Sequence, residues 1–176
     1  MKKTLIVIDM HNDFIDGALG TPEAQAIVPK VKEKIEEYFK EGYNIIFTRD
    51  THFSTYLETL EGHKLPVEHC IKFTRGWEIC SELKEYTRSF DDVDVIDKQT
   101  FGYRHWDRWR EEFPGEIELV GLCTDICVVS NALILRANYP GKEITVDASC
   151  CAGTTPENHK AALQVMKCCQ INVVGE

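Results

Sequence analysis

Several features that would assign a chain to a special class of protein are missing from this sequence. No apolar run approaches the roughly 20 residues that a membrane-spanning helix needs, and there is no linker, repeat or low-complexity segment. Basic residues are outnumbered, with 20 Lys and Arg against 29 Asp and Glu and a net charge of −9. Because nucleic-acid binding needs a basic surface, we expect a single domain over residues 1–176 without a nucleic-acid or membrane partner.

The cysteines also lack a familiar pattern. There are eight, and none stands in a C-x-x-C pair, which argues against a zinc ribbon and a thioredoxin-like redox site. The amino terminus begins like a secretory signal, but Asp9 interrupts its apolar stretch and no small-residue cleavage site follows. We therefore expect a cytoplasmic protein with reduced thiols. Five of these thiols are interpreted as small structural side chains: Cys123, Cys150, Cys151, Cys168 and Cys169.

Short apolar runs alternate with helical patterns along the whole chain. The runs predict six strands, at residues 4–9, 44–50, 93–97, 117–122, 144–148 and 171–174. Helices are predicted after Pro29 as far as Gly42, and at 77–83, 106–112, 125–137 and 155–169. Because parallel neighbours need a crossover that a helix supplies, the pattern predicts an α/β fold. Its three αβα layers would surround a doubly wound, six-stranded, mostly parallel sheet.

Polar residues follow several of these strands. They include Asp9, Asp50, His52, Lys98 and the segment 124–127. Ligands of such sheets bind beyond the carboxyl ends of the strands, so we expect carboxylates, an imidazole, an amine and a thiol at one edge. The connection from 51 to 76 is longer than usual, which suggests a functional loop.

Cys127 is the candidate nucleophile. If Thr124 caps the helix that follows, Cys127 lies in its first turn, where free N–H groups and the helix dipole stabilise a thiolate. Asp9 could take the thiol proton and later protonate a leaving amine, while Lys98 stabilises both anions. The alternatives are a small buried cysteine, a strand-end cap at Asp9 and a solvated Lys98.

Three segments resemble the nicotinamidase and isochorismatase-like cysteine hydrolases: LIVIDMHNDF around Asp9, DKQTFGY around Lys98 and VGLCTDICVVSNA around Cys127. The resemblance implies a six-stranded parallel sheet and hydrolysis of a small amide through an acyl thioester on Cys127. It also implies a cis peptide bond at Leu122-Cys123 and an oxyanion hole formed by the N–H groups of Cys123 and Cys127. A homo-oligomer is expected on the same basis.

The loop after the second strand carries candidate metal ligands. Asp50 and His52 are two apart, so an extended strand end points them to the same side, and His69 follows. In nicotinamidases an Asp-x-His pair and a later His near a Pro bind a divalent metal, with a His or Glu between them. Three residues could take that position: Glu58, Glu61 and His63. We prefer Glu61, which resembles the glutamate of some relatives.

Mixed imidazole and carboxylate ligands suit zinc, with iron or manganese as alternatives. The competing interpretation of this loop is an ordinary ion pair between Asp50 and His52, with His69 as a packing contact.

The substrate that the resemblance implies is nicotinamide. Phe14, Phe101 and Tyr103 could flank its ring, although aromatic residues next to strands also belong to cores. Two departures from the family pattern concern the substrate: His11 stands where Gln is usual, and Leu65 stands where an aromatic residue is usual. Hydrolysis of another small amide or of a ureido or carbamoyl compound stays open, as does a non-catalytic, metabolite-binding role.

Overall fold

Six strands form one parallel sheet in a computed structural model that describes residues 2–87, 93–109 and 113–176. The strand order is β3-β2-β1-β4-β5-β6. The strands are β1 (Thr4–Ile8), β2 (Asn44–Asp50), β3 (Val93–Lys98), β4 (Ile117–Leu122), β5 (Ile144–Ala152) and β6 (Asn172–Val174). The predicted α/β fold with a six-stranded parallel sheet is confirmed, and β5 extends past its predicted end at 148.

Helices cover both faces of the sheet. They are α1 (Asn12–Ile15), α2 (Pro22–Lys40), α3 (Leu60–Lys64), α4 (Ser81–Lys84), α5 (Val129–Asn138) and α6 (Pro156–Cys168). Three short 3-10 turns lie at Tyr56–Glu58, Glu85–Thr87 and Trp106–Trp109, and a π-helical turn, Thr124–Val128, leads into α5. No helix in the described ranges has the length and apolar character needed to cross a membrane.

The first long helix begins earlier than the sequence pattern predicted. It starts at Pro22, after Thr21, whose hydroxyl accepts a hydrogen bond from the Ala24 N–H at 3.0 Å. A threonine cap followed by a proline at the first helical position is a favourable start. Pro29 therefore lies inside α2, where the burial of Val31 and its neighbours against the sheet offsets the lost backbone hydrogen bond.

The other differences concern short elements. The helix predicted at 77–83 forms only at Ser81–Lys84, and the connection 51–76 contains a 3-10 turn and α3. Of the helix predicted at 106–112, the structure shows the turn Trp106–Trp109, and residues 110–112 lie outside the described residues. Elements of one or two turns leave little periodicity in a sequence, so their bounds are difficult to predict.

Strand β1 occupies the centre of the molecule. Its residues alternate between two cores: Leu5 and Val7 pack on the side of α2, whereas Ile6 and Ile8 pack on the side of α5 and α6. All four side chains are fully buried, as expected for a parallel strand with both faces covered. The strand order reverses between β1 and β4, which is where such sheets place their ligand sites.

Candidate active site

Asp9, Lys98 and Cys127 meet at the carboxyl edge of the sheet. The Nζ atom of Lys98 lies 2.6 Å from Oδ2 of Asp9 and 3.5 Å from Sγ of Cys127. The three residues are 0%, 3% and 4% exposed. The structure thus brings a buried carboxylate, ammonium and thiol into direct contact, although they come from distant parts of the sequence.

The neighbouring strands hold these side chains in place. Asp9 follows β1 with a positive φ of 47°, and its Oδ1 accepts a hydrogen bond of 2.7 Å from the Thr48 hydroxyl on β2. Lys98 ends β3 in register with Asp50 at the end of β2. Its side chain reaches past β2, and Nζ lies 3.8 Å from Oδ1 of Asp50. Lys98 therefore lies between two carboxylates and the thiol.

Burial and charge decide the protonation of this cluster. Burial alone would lower the pKa of Lys98, but the negative charges of Asp9 and Asp50 outweigh it and raise the pKa above its usual range, so the amine stays charged. Burial raises the pKa of the Cys127 thiol well above its usual value, with Lys98 opposing the shift and Asp9 adding to it. This shift favours the protonated thiol, whereas the helix start by itself would favour a thiolate.

The nucleophile segment also differs locally from the prediction. Cys123 and not Thr124 occupies the cap position, its side chain makes no capping bond, and the Thr124 hydroxyl is hydrogen-bonded to Nδ1 of His159 at 2.8 Å. Cys127 lies in the π-helical turn, in which the N–H groups of Ile126 and Val128 both donate to the Cys123 carbonyl at 3.1 Å. Such turns are frequent at functional sites. The cis peptide bond expected at Leu122-Cys123 is confirmed.

Asn131 supports this turn and was not identified from the sequence. Its Nδ2 donates to the Cys127 carbonyl at 2.8 Å, and its Oδ1 accepts from the Tyr103 N–H at 2.9 Å and from Trp106 Nε1 at 2.8 Å. The side chain is fully buried. Asn131 thus joins the nucleophile turn to the segment after β3. A polar residue in a helical pattern was the only available signal.

A second cluster lies beside the first. Asp50, His52 and His69 offer ligand atoms that all lie within 4.8 Å of one another. Oδ2 of Asp50 is 3.0 Å from Nε2 of His52 and 3.7 Å from Nε2 of His69, and Oε1 of Glu61 is 3.6 Å and 3.9 Å from the same nitrogens. We call these four residues the metal group. The other two candidates, Glu58 and His63, are exposed side chains.

The metal group fits a divalent transition metal. The N–H at Nδ1 of His69 donates to the Val67 carbonyl at 2.8 Å. Nε2 is then the nitrogen that faces the other candidate ligands, as is usual for metal-binding histidines. Burial would raise the pKa of Asp50, but His52 and Lys98 outweigh it and lower the pKa to about 2. Two imidazoles with two carboxylates suit zinc, iron or manganese.

A cavity of about 790 Å³ connects the two clusters. Cys127, Asp50 and His69 line it, and so do Phe14 and Phe101. Tyr103, which was predicted to contact the substrate, is not part of this wall. The centroid of its ring lies 5.0 Å from that of Trp106. The backbone N–H of Tyr103 donates a hydrogen bond to Oδ1 of Asn131, which holds the residue at this position. The lining of the cavity is mainly apolar and includes the candidate nucleophile and residues of the metal group.

His11 lies fully buried next to this edge. The N–H at its Nδ1 donates to the Trp77 carbonyl at 2.5 Å. Burial lowers the pKa of His11, although the nearby charges of Asp9 and Asp50 oppose the shift. The imidazole is therefore neutral at physiological pH.

Comparisons with known proteins agree with this arrangement. A family model described as "Isochorismatase domain" matches residues 3–175. The chain is 30% identical to an uncharacterized isochorismatase family protein of Bacillus subtilis over 93% of both chains. A nicotinamidase/pyrazinamidase structure from Bacillus subtilis superposes with a TM-score of 0.86 at 29% identity, covering 99% of this chain and 100% of that one. A Pyrococcus horikoshii pyrazinamidase in complex with zinc superposes with a TM-score of 0.83 at 28% identity, covering both chains completely.

Proposed function

The chain belongs to the isochorismatase family and is a hydrolase of carbon–nitrogen bonds, and on that premise we propose that it hydrolyses nicotinamide to nicotinate and ammonia. The catalytic residues in this proposal are Cys127 as nucleophile, Asp9 as acid and base, and Lys98 as a fixed positive charge. The observation that carries it is the contact of Lys98 with both Asp9 and Cys127, because Cys127 lines the cavity.

The first chemical step is attack by Cys127. Because burial raises the pKa of the thiol, Asp9 takes its proton while Sγ forms a bond to the amide carbon. The π electrons of the carbonyl move to its oxygen. The Lys98 ammonium, 3.5 Å from Sγ, counters the negative charge during the proton transfer. In this proposal the N–H groups of Cys123 and Cys127 stabilise the oxyanion.

The intermediate then collapses. The carbon–nitrogen bond breaks as Asp9 protonates the amine, so ammonia leaves and an acyl thioester remains on Cys127. Asp9 next takes a proton from water, whose oxygen attacks the thioester carbon. The carbon–sulfur bond breaks, the acid is released and the proton returns to Sγ. Asp9 and Cys127 are unchanged at the end of the cycle.

The metal group would hold a divalent metal, with zinc the first candidate. When bound, the ion supplies a Lewis acid that can attract the ring nitrogen of the substrate. The protein's own part is to orient the ligands, through the bond from His69 to Val67. Phe14 and Phe101 line the same cavity and would flank the ring.

The test is ammonia release from nicotinamide by zinc-loaded protein, compared between the native chain and two cysteine variants. We expect Cys127→Ala to lose activity by at least about a thousandfold, since it removes the nucleophile. The matched control is Cys150→Ala, a buried cysteine that does not line the cavity, and it should keep activity. The proposal would be refuted if the native protein released no ammonia from nicotinamide, or if Cys127→Ala stayed active. If ammonia came only from a ureido compound, the amidase mechanism would apply to that substrate and not to nicotinamide.

A further inference from the structure

The cavity beside Cys127 is larger than nicotinamide needs. Its volume is about 790 Å³, which lies in the range of sites for drug-sized ligands. Nicotinamide has only about nine non-hydrogen atoms and would fill a minor part of such a pocket. A substrate that matched the cavity would therefore be a larger molecule.

The residues that line the cavity differ in exposure. Cys127, Asp50 and His69 are buried. Five apolar lining residues are half-buried or exposed, and we call them the vestibule: Leu19, Leu60, Leu65, Phe101 and Ile126. Three of them are open to solvent, with Leu60 72%, Leu65 37% and Phe101 47% exposed. Exposed polar residues line the cavity as well, namely Lys64, Gln99, Thr100 and Thr154.

The vestibule residues come from separate parts of the fold. Leu19 precedes α2, Leu60 and Leu65 belong to α3 and its end, Phe101 follows β3, and Ile126 is in the π-helical turn. Single exposed apolar residues are ordinary, but several that surround the entrance to one cavity indicate a ligand-binding surface. Because this entrance leads to the reactive thiol, the ligand it fits is the remote part of a substrate.

We propose that the vestibule is a second substrate subsite, and that the protein prefers aromatic amides carrying an alkyl group on the ring to nicotinamide itself. This inference rests on the proposed amidase function. With the amide at Cys127 and the ring beside Phe14, an alkyl group on the far side of the ring would extend between Leu65 and Phe101. Each methylene that leaves water there strengthens binding.

The experiment measures kcat/KM for ammonia release from nicotinamide and from its 5-methyl, 5-propyl and 5-butyl derivatives. Substitution at that position leaves both the amide and the ring nitrogen free. We expect kcat/KM to rise roughly two- to fourfold for each added methylene. Hydrolysis of nicotinamide with a flat or falling series overturns this inference alone. Absence of ammonia from every compound overturns it together with the amidase proposal.

Two vestibule variants and one control locate the effect. Leu65→Trp fills the vestibule, and we expect the ratio of kcat/KM for the butyl compound to that for nicotinamide to fall roughly tenfold. Leu57→Trp is the matched control, because Leu57 is 46% exposed on the same loop but does not line the cavity; its ratio should equal that of the native protein. Leu60→Ser, at a largely exposed position, provides a second variant in which the ratio should fall. A native ratio in both vestibule variants refutes the subsite.

Discussion

Replacing Lys98 with methionine tests the electrostatic basis of the site. The substitution keeps an unbranched apolar stem but removes the ammonium, which lies 2.6 Å from Asp9 and 3.8 Å from Asp50. The Lys98 side chain is only 1% exposed, so water cannot replace the lost charge. Removing one partner of a buried ion pair costs about 3–5 kcal/mol, because the other charge stays buried without compensation.

The measurement is urea-induced unfolding at pH 7.5, with a chelator in every sample so that metal occupancy does not vary. We expect the free energy of unfolding of Lys98→Met to fall by about 3–5 kcal/mol, which for a chain of this size lowers Tm by about 6–20 °C. The double variant Asp9→Asn with Lys98→Met should be more stable than Lys98→Met alone, because it removes the uncompensated carboxylate. A Lys98→Met variant within about 1 kcal/mol of the native protein would refute the reasoning.

The pH dependence supplies a second check on the same variant. Because the pKa of Lys98 is raised in the folded state, against an ordinary value of 10.5, its stabilisation is complete below that pH. It is lost as the pH rises through the folded-state value. The difference between native protein and Lys98→Met should therefore be constant from about pH 7 to 9 and shrink above about pH 10.5. A difference that grew with pH would contradict the sign of the shift.

Three further predictions concern the metal, a buried histidine and a glycine. Zinc added to chelated protein at about 100 times its Kd should raise stability by about 2.7 kcal/mol, or Tm by about 5–11 °C, and thermal melts of His69→Ala should show no such shift. Burial lowers the pKa of His11 below its ordinary value of 6.5, so the unfolded chain binds the proton first and stability falls as the pH drops below about 6.5. Urea titrations should show a smaller fall for His11→Gln, and parallel curves would contradict this. Gly121 has a φ of 118°, and an added Cβ would lie 2.1 Å from the Ile8 carbonyl oxygen, so Gly121→Ala should cost more than about 2 kcal/mol. Gly141→Ala, where nothing lies within 4 Å, should change the unfolding free energy by less than about 0.5 kcal/mol; equal effects would contradict the steric explanation.

Much of the architecture could be predicted from local pattern. Continuous apolar runs such as residues 4–8 are typical of parallel strands, and their alternation with helices leaves few topologies. The start of α2 was misplaced because Pro29 looks like a boundary in the sequence, whereas the cap at Thr21 and burial on the sheet override it. The short helices α1 and α3 were missed because elements of four or five residues show no complete period.

Predicting the candidate site depended on strand ends. Asp9, Asp50 and Lys98 were identified because parallel strands deliver their carboxyl ends to one edge. The side chains that support them were not: Thr48 lies within a strand pattern, and Asn131 lies within a helical one. Their roles arise from hydrogen bonds between neighbouring elements. The spacing of residues along the sequence does not reveal such bonds.

The sequence by itself determined the order of the six strands and the longer helices along the chain and the residue types that reach the edge of the sheet, because both follow from local periodicity and the rules of parallel connection. Only the tertiary structure decided the surroundings of Cys127. A helix start by itself favours a thiolate, whereas burial and the nearby charge of Asp9 raise the pKa of the thiol, with Lys98 opposing the shift. The tertiary structure also decided the size of the cavity and the position of Tyr103, whose ring packs on Trp106 and does not line the cavity. Desolvation and packing depend on all the groups that surround a side chain, and those groups come from distant positions in the chain.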